Sequence, residues 1–202
     1  ENKDSVKQDY RHHYHFMAPI GWINDPNGFI YYKGEYHLFY QYYPYDSVWG
    51  PMHWGHAKSK DLITWEHLPV ALAPDQPYDK DGCFSGSAIE KDGKLYLNYT
   101  GFIKGETEED HRQVQCVAVS SDGIHFEKVE QNPVLTEKDL PENILPQDFR
   151  DPKVIYRNGV YYSFIVAKSN NNTGNVLLYE SKDLINWEFK SVFLEGTVDE
   201  GE

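Results

Sequence analysis

Ser59-Lys60-Asp61-Leu62-Ile63-Thr64-Trp65-Glu66 recurs as Ser120-Ser121-Asp122-Gly123-Ile124-His125-Phe126-Glu127 and again as Ser181-Lys182-Asp183-Leu184-Ile185-Asn186-Trp187-Glu188. The copies begin at residues 59, 120 and 181, a constant period of 61. Upstream of each lies a hairpin signal. Gly28 to Gly34 leads into Glu35 to Tyr40, Ala88 to Gly93 into Lys94 to Tyr99, and Val154 to Gly159 into Val160 to Ile165. The turns are Lys33-Gly34, Asp92-Gly93 and Asn158-Gly159, between runs rich in Tyr, Phe and Ile, which is the chemistry of two-residue hairpins. Each unit therefore reads as strand, tight turn, strand, strand, Ser-x-Asp turn and a last strand. A four-stranded antiparallel unit at a fixed period is the signature of a β-propeller blade, which buries both faces only when neighbours stack around an axis. No long segment has the spacing of an amphipathic helix, so the expected fold is all-β.

The 202 residues hold a little over three such units, fewer than the roughly four to eight blades of a closed ring. The expectation is a portion of a longer protein; a three-unit assembly would keep open apolar edges and a tendency to self-associate. With 32 acidic against 19 basic residues the formal net charge is -13, the wrong sign for nucleic acid or an anionic membrane. No apolar run reaches the roughly 18 residues of a membrane span, and the N-terminus lacks a signal-peptide pattern. Cys83 and Cys116 stand alone, without the spacing of a zinc site or a disulfide framework, and fit a reducing, cytoplasmic setting. Aromatic residues make up 15% of the chain, which suits strands and also the stacking of rings on sugars.

Candidate chemistry stands at the start of the first and third units. Trp22-Ile23-Asn24-Asp25-Pro26-Asn27-Gly28 and Phe149-Arg150-Asp151-Pro152 place two Asp-Pro steps 126 residues apart, close to two repeat lengths. Proline disfavours the helical conformation of the residue before it, so each Asp is expected in extended backbone, its carboxylate turned into one funnel. Two carboxylates in a polar, aromatic-walled cavity is the arrangement of glycoside hydrolysis. Asp-Pro-Asn-Gly is equally a good turn sequence, and that structural reading stands beside the catalytic one. Other features read as structural. His53 and His56 fall three apart on a strand and face opposite ways, against a metal pair. Glu106 to Asp110 reads as a solvated loop, Asn170 to Thr173 as a turn, and the Asn98 and Asn171 sequons carry little without secretion.

Five ordered motifs carry a family resemblance: Trp22 to Gly28, Phe39-Tyr40-Gln41-Tyr42-Tyr43-Pro44, Trp49-Gly50-Pro51-Met52-His53-Trp54-Gly55-His56-Ala57, Phe84-Ser85-Gly86-Ser87 and Arg150-Asp151-Pro152. The set resembles that of glycoside hydrolase family 32, with bacterial β-fructofuranosidases and sucrose-6-phosphate hydrolases most alike, from about His15 to the end of the chain. The resemblance implies a five-bladed propeller, usually followed by a β-sandwich. Residues 1–202 would then be the N-terminal portion of one catalytic propeller, about its first three blades. It implies hydrolysis of a terminal β-fructofuranosyl bond with retention, in sucrose, sucrose 6-phosphate or related fructosides, without cofactor or metal. Asp25 falls on the nucleophile and Asp151 on the transition-state stabiliser. Asn24, Gln41, Trp49, Phe84, Ser85 and Arg150 fall on positions that shape the fructose pocket. The family's acid/base is a Glu followed by Cys, and no Glu-Cys pair occurs here. Glu200 and Glu202 are not assigned to it, and residues 1–202 alone are expected to be inactive. Three alternatives share the scaffold: a fructosyltransferase, a levanase or inulinase, and a sugar-binding module without catalysis.

Overall fold

The computed structural model describes residues 9, 11, 12 and 14–197. Each hairpin signal becomes a hairpin, and the described residues form three four-stranded antiparallel sheets in sequence. The first comprises β1 (Trp22–Tyr32), β2 (Glu35–Tyr43), β3 (His53–Ser59) and β4 (Glu66–Leu72). The second comprises β5 (Gly82–Lys91), β6 (Lys94–Ile103), β7 (Arg112–Ser120) and the two-residue β8 (Glu127–Lys128). The third comprises β9 (Ile144–Arg157), β10 (Val160–Ser169), β11 (Thr173–Ser181) and β12 (Trp187–Thr197). In each the strands lie in chain order. The hairpin tips take positive φ at both turn residues, 48° and 89° at Lys33-Gly34, 52° and 74° at Asp92-Gly93, 52° and 85° at Asn158-Gly159, the turn whose twist matches paired strands. Among the described residues the only helices are 3-10 turns such as Glu108–Asp110, and no helix is long and apolar enough to cross a membrane.

The sheets pack face to face. Tyr32, Phe39 and Trp54 of the first share one core with Leu95, Leu97 and Tyr99 of the second. Val154, Tyr161 and Leu184 of the third meet Ile89 and Tyr96 of the second. The outward faces stay apolar, with Phe29 and Tyr31 on β1 and Phe193 and Leu194 on β12 more than half exposed.

The repeated Ser-x-Asp turns have one hydrogen-bond plan. Ser59 Oγ accepts from Leu62 N at 2.8 Å, Ser120 Oγ from Gly123 N at 2.8 Å, and Ser181 Oγ from Leu184 N at 2.9 Å. Asp61, Asp122 and Asp183 each accept from the two backbone N–H groups that follow the turn, at 2.7–2.9 Å. The fourth position is left-handed in all three, φ 65° at Leu62, 80° at Gly123 and 74° at Leu184, and only the second copy has the glycine this favours. Leu62 is 46% exposed and Leu184 fully buried, so one substitution has opposite signs at the two sites. Leu62→Gly is expected to stabilise by up to about 1 kcal/mol, since left-handed backbone costs a non-glycine residue roughly 1–2 kcal/mol and glycine's chain entropy returns part of it. Leu184→Gly is expected to destabilise by at least about 2 kcal/mol through the vacated core. Denaturation midpoints moving in the same direction for both variants would refute this.

At the interface of the first two sheets His37 Nδ1 and His56 Nε2 lie 2.9 Å apart, one donating to the other, with Phe39 stacked on His56 at 4.1 Å. Burial pushes His56 down to about 3 and lowers His37. Between about 3 and the ordinary value of 6.5 the unfolded chain therefore binds a proton at His56 that the folded chain refuses. Stability is whole above that window and falls as the pH drops through it, by about 1.4 kcal/mol per pH unit for one such group. Denaturant midpoints between pH 7 and pH 5 should record this loss, and His56→Gln should flatten it; an equally steep loss in the variant would assign the acid sensitivity elsewhere.

A second buried polar group sets the start of β5. Asp79 is fully buried, accepting from Lys128 Nζ at 2.5 Å, Tyr99 Oη at 2.8 Å and Gln76 N at 3.0 Å. Such a charge is tolerable only when paired and fully hydrogen-bonded, so the loop entering β5 is held in one conformation.

Candidate active site

The first strands of the three sheets lie side by side, and each has a register break where it faces the cleft. On β1, Ile23 pairs Tyr42 and Pro26 pairs Tyr40, so Asn24 and Asp25 together oppose Gln41. On β5, Phe84 pairs Thr100 and Gly86 pairs Tyr99, leaving Ser85 unopposed. On β9, Arg150 pairs Val166 and Lys153 pairs Phe164, so Asp151 and Pro152 together oppose Ile165. These are β-bulges, which kink a strand and re-aim its side chains. The expectation of extended backbone at both aspartates holds only in part: Asp151 has φ 58°, in the left-handed region. The bulge overrides the preference set by Pro152, and aspartate tolerates this conformation better than most residues.

The three bulges open on a cleft of about 1070 Å³. Asn24, Asp25, Gln41, Trp49, Phe84, Ser85, Arg150 and Asp151, every residue singled out from the sequence, line it. Ser85 Oγ donates to Asp25 Oδ2 at 2.8 Å, joining the bulges of the first and second sheets. Trp22 Nε1 donates to Asn24 Oδ1 at 2.8 Å and fixes the amide's orientation. Gln41 Nε2 donates to the Cys83 carbonyl at 2.9 Å, and Trp54 Nε1 to the Phe84 carbonyl at 3.0 Å, tying β5 to the first sheet. Trp49 meets Phe84 edge to face at 6.2 Å, and Phe84 stacks on Phe102 at 4.5 Å. Arg150 Nε lies 3.8 Å from Asp151 Oδ2.

Sequence reasoning missed Asp148, Lys168 and Glu195, which also line the cleft. Asp148 was within reach, because strand alternation places it on the same face as Arg150 two residues later. Lys168 pairs with β9 from β10, and Glu195 lies on β12 at the far side of the sheet, so only the folded sheet brings either to the cleft. Glu200 and Glu202 lie outside the described residues. His53 Nδ1 pairs with the Pro51 carbonyl and His56 with His37, different partners for the two rings. Asn98 and Thr100 of the first sequon are buried and the Asn171 turn is exposed.

Repeated four-stranded sheets with two aspartates converging on an aromatic-walled cleft define a glycosidase-like scaffold. The sequence profile of the glycosyl hydrolases family 32 N-terminal domain matches residues 15–201, and the chain belongs to that family. Among known proteins it is 50% identical over 183 residues to a sucrose-6-phosphate hydrolase of Escherichia coli, covering 89% of this chain and 37% of that protein. It is 45% identical to a levanase of Bacillus subtilis, covering 92% of this chain and 27% of the levanase. Among solved structures, the Bombyx mori GH32 beta-fructofuranosidase BmSUC1 superposes with a TM-score of 0.88 at 51% identity, over 98% of this chain and 41% of that one. A mutant of the same enzyme in complex with sucrose superposes equally well. The chain thus spans well under half the length of the relatives it matches.

Proposed function

We propose that this chain supplies the nucleophile and most of the sugar-binding wall of a retaining β-fructofuranosidase acting on sucrose, sucrose 6-phosphate or a related fructoside. The observation that carries the reading is the placement of Asp25 and Asp151, from matching bulges of the first and third sheets, in one cleft, with Ser85 donating to Asp25. Ser85 occupies one oxygen of Asp25 and leaves the other to attack the anomeric carbon. The bond from that carbon to the glycosidic oxygen breaks as the bond to Asp25 forms, giving a covalent fructosyl ester. Water then attacks the same carbon, releases fructose with its original configuration and regenerates the carboxylate. Asp151 accepts hydrogen bonds from fructosyl hydroxyls and moves no proton. Asn24, Gln41 and Arg150 bind the remaining hydroxyls, and Trp49 and Phe84 pack against the sugar. Protonation of the leaving oxygen falls to a further carboxylic acid, to which no residue of the 202 is assigned.

In the same reading the three sheets are consecutive blades of a five-bladed ring, whose other blades cover the apolar faces around Phe29 and Phe193. Two free buried thiols, Cys83 and Cys116, accord with a cytoplasmic location. The levanase relative favours one second reading, in which the leaving group is a further fructosyl unit. The test is turnover by the full-length protein of sucrose, sucrose 6-phosphate, inulin and levan, with the anomer of the released fructose followed by NMR. Release of the β anomer first is the expected result. Inversion, sugar binding without turnover, or fructosyl transfer in place of hydrolysis would each overturn the reading.

A further inference from the structure

Side chains of the second sheet hold the backbone of β9 along its open edge, through the stretch that contains Asp151. Gln113 Nε2 donates to the Gln147 carbonyl, and Gln115 Nε2 to the Phe149 carbonyl at 2.8 Å. Asp151 N donates to Thr100 Oγ1 at 3.0 Å. Ser87 Oγ donates to the Pro152 carbonyl at 2.7 Å and accepts from Val154 N at 2.9 Å. All four of these side chains are buried, Thr100 completely. The gripped carbonyls fall on residues 147 and 149 before the bulge and on 152 after it, so the edge changes phase by one residue. The Thr100 contact sits at that change.

The local preference of Asp151 is for extended backbone, because the following proline disfavours compact conformations and the left-handed region, though easier for aspartate than for most residues, still costs more than an extended one. In the observed conformation, with φ 58°, its N–H points out of β9 toward the second sheet and meets Thr100 Oγ1. We propose that Thr100 is a positioning residue for Asp151: its hydroxyl oxygen holds the Asp151 N–H, and with it the left-handed turn that aims the carboxylate into the cleft. Thr100 is fully buried and does not line the cleft; it acts through the backbone of Asp151, while Ser87 holds Pro152 and Val154 beyond it. The inference rests on the fructosidase reading for its catalytic consequence, and on geometry alone for its structural one.

The test uses the full-length protein with Thr100→Val, which keeps shape but removes the acceptor, and Thr100→Ser, which restores it. Ser181→Ala, in the Ser-x-Asp turn of the third sheet, serves as a destabilised control remote from the cleft. Thr100→Val is expected to lower kcat on sucrose by about 10- to 100-fold, as misplacement near 1 Å does, with KM within about 3-fold of the wild type. Thr100→Ser should stay within about 3-fold in both, and Ser181→Ala should lose thermal stability without losing kcat of the folded protein. Should the Val variant not fold, Thr100→Ala against Thr100→Ser makes the same comparison across one hydroxyl. Wild-type kcat in the folded Val or Ala variant, or an equal loss in the Ser variant, would overturn the proposal. A crystal structure of Thr100→Val separates this from a failure of the functional reading: Asp151 is expected to leave the left-handed region, and an unchanged φ refutes the positioning role whatever the enzyme hydrolyses.

Discussion

An Asp25→Ala variant of the full-length protein is expected to lose fructoside turnover by about 10⁴-fold or more while folding normally. The size follows from the chemistry: without the carboxylate no covalent intermediate forms, and direct attack by water must cross the barrier that the two-step route divides. The survival of the fold follows from position. Asp25 is exposed at the cleft wall, in a bulge that its own sheet does not pair one to one, and its Oδ2 contact with Ser85 is the hydrogen bond most directly lost. Surface changes of this kind usually shift stability by no more than about 0.5 kcal/mol. Rate measurements beside thermal denaturation decide the matter. Residual turnover within about 100-fold of the wild type would remove Asp25 from the role of nucleophile.

Gly86→Ala is expected to be the most damaging conservative change in the second sheet. A Cβ at this position would lie 2.0 Å from the Asn98 carbonyl oxygen and 2.9 Å from Tyr99 Cα, both backbone atoms of the paired strand β6. No side-chain rotation relieves such a contact, so β5 must move away from β6, at a cost on the order of 3 kcal/mol or more. The movement falls between Ser85, which holds Asp25, and Ser87, which holds Pro152 and Val154. One methyl group therefore disturbs the settings of both aspartates. Gly93→Ala is the contrast, because its Cβ would meet nothing within 4 Å and only its φ of 74° is unfavourable. If Gly86→Ala proved soluble with the wild-type melting temperature, the observed closeness of β5 and β6 would be wrong.

The repeat was legible because its signals are local. Each hairpin turn and each Ser-x-Asp turn closes within a few residues, so the residue types at those positions announce the geometry. The cleft was legible through its motifs, and the eight residues they supplied converge. What the sequence did not disclose are contacts between segments with no pattern in common. Lys128 reaches Asp79 across 49 residues, and Asp151 reaches Thr100 across 51, each through sheet packing that a period of 61 does not encode. The left-handed backbone of Asp151 was misread for the same reason: the dipeptide Asp-Pro argues for extension, and the contact of its N–H with Thr100 comes from the neighbouring sheet. Asp148 was the avoidable omission, since alternation from Arg150 points straight to it.

The three bulges separate what holds each sheet together from what faces the cleft. Each sheet has a kink in its inner strand, and the residue at the kink has little part in pairing its own sheet. The side chain there can therefore differ from sheet to sheet, Asp25, Ser85 and Asp151, while Ser59, Ser120 and Ser181, which close the turns, are alike. Shape and chemistry reside on separate residues. Exchanging the residue at one kink would change the lining of the cleft without touching the pairing that presents it.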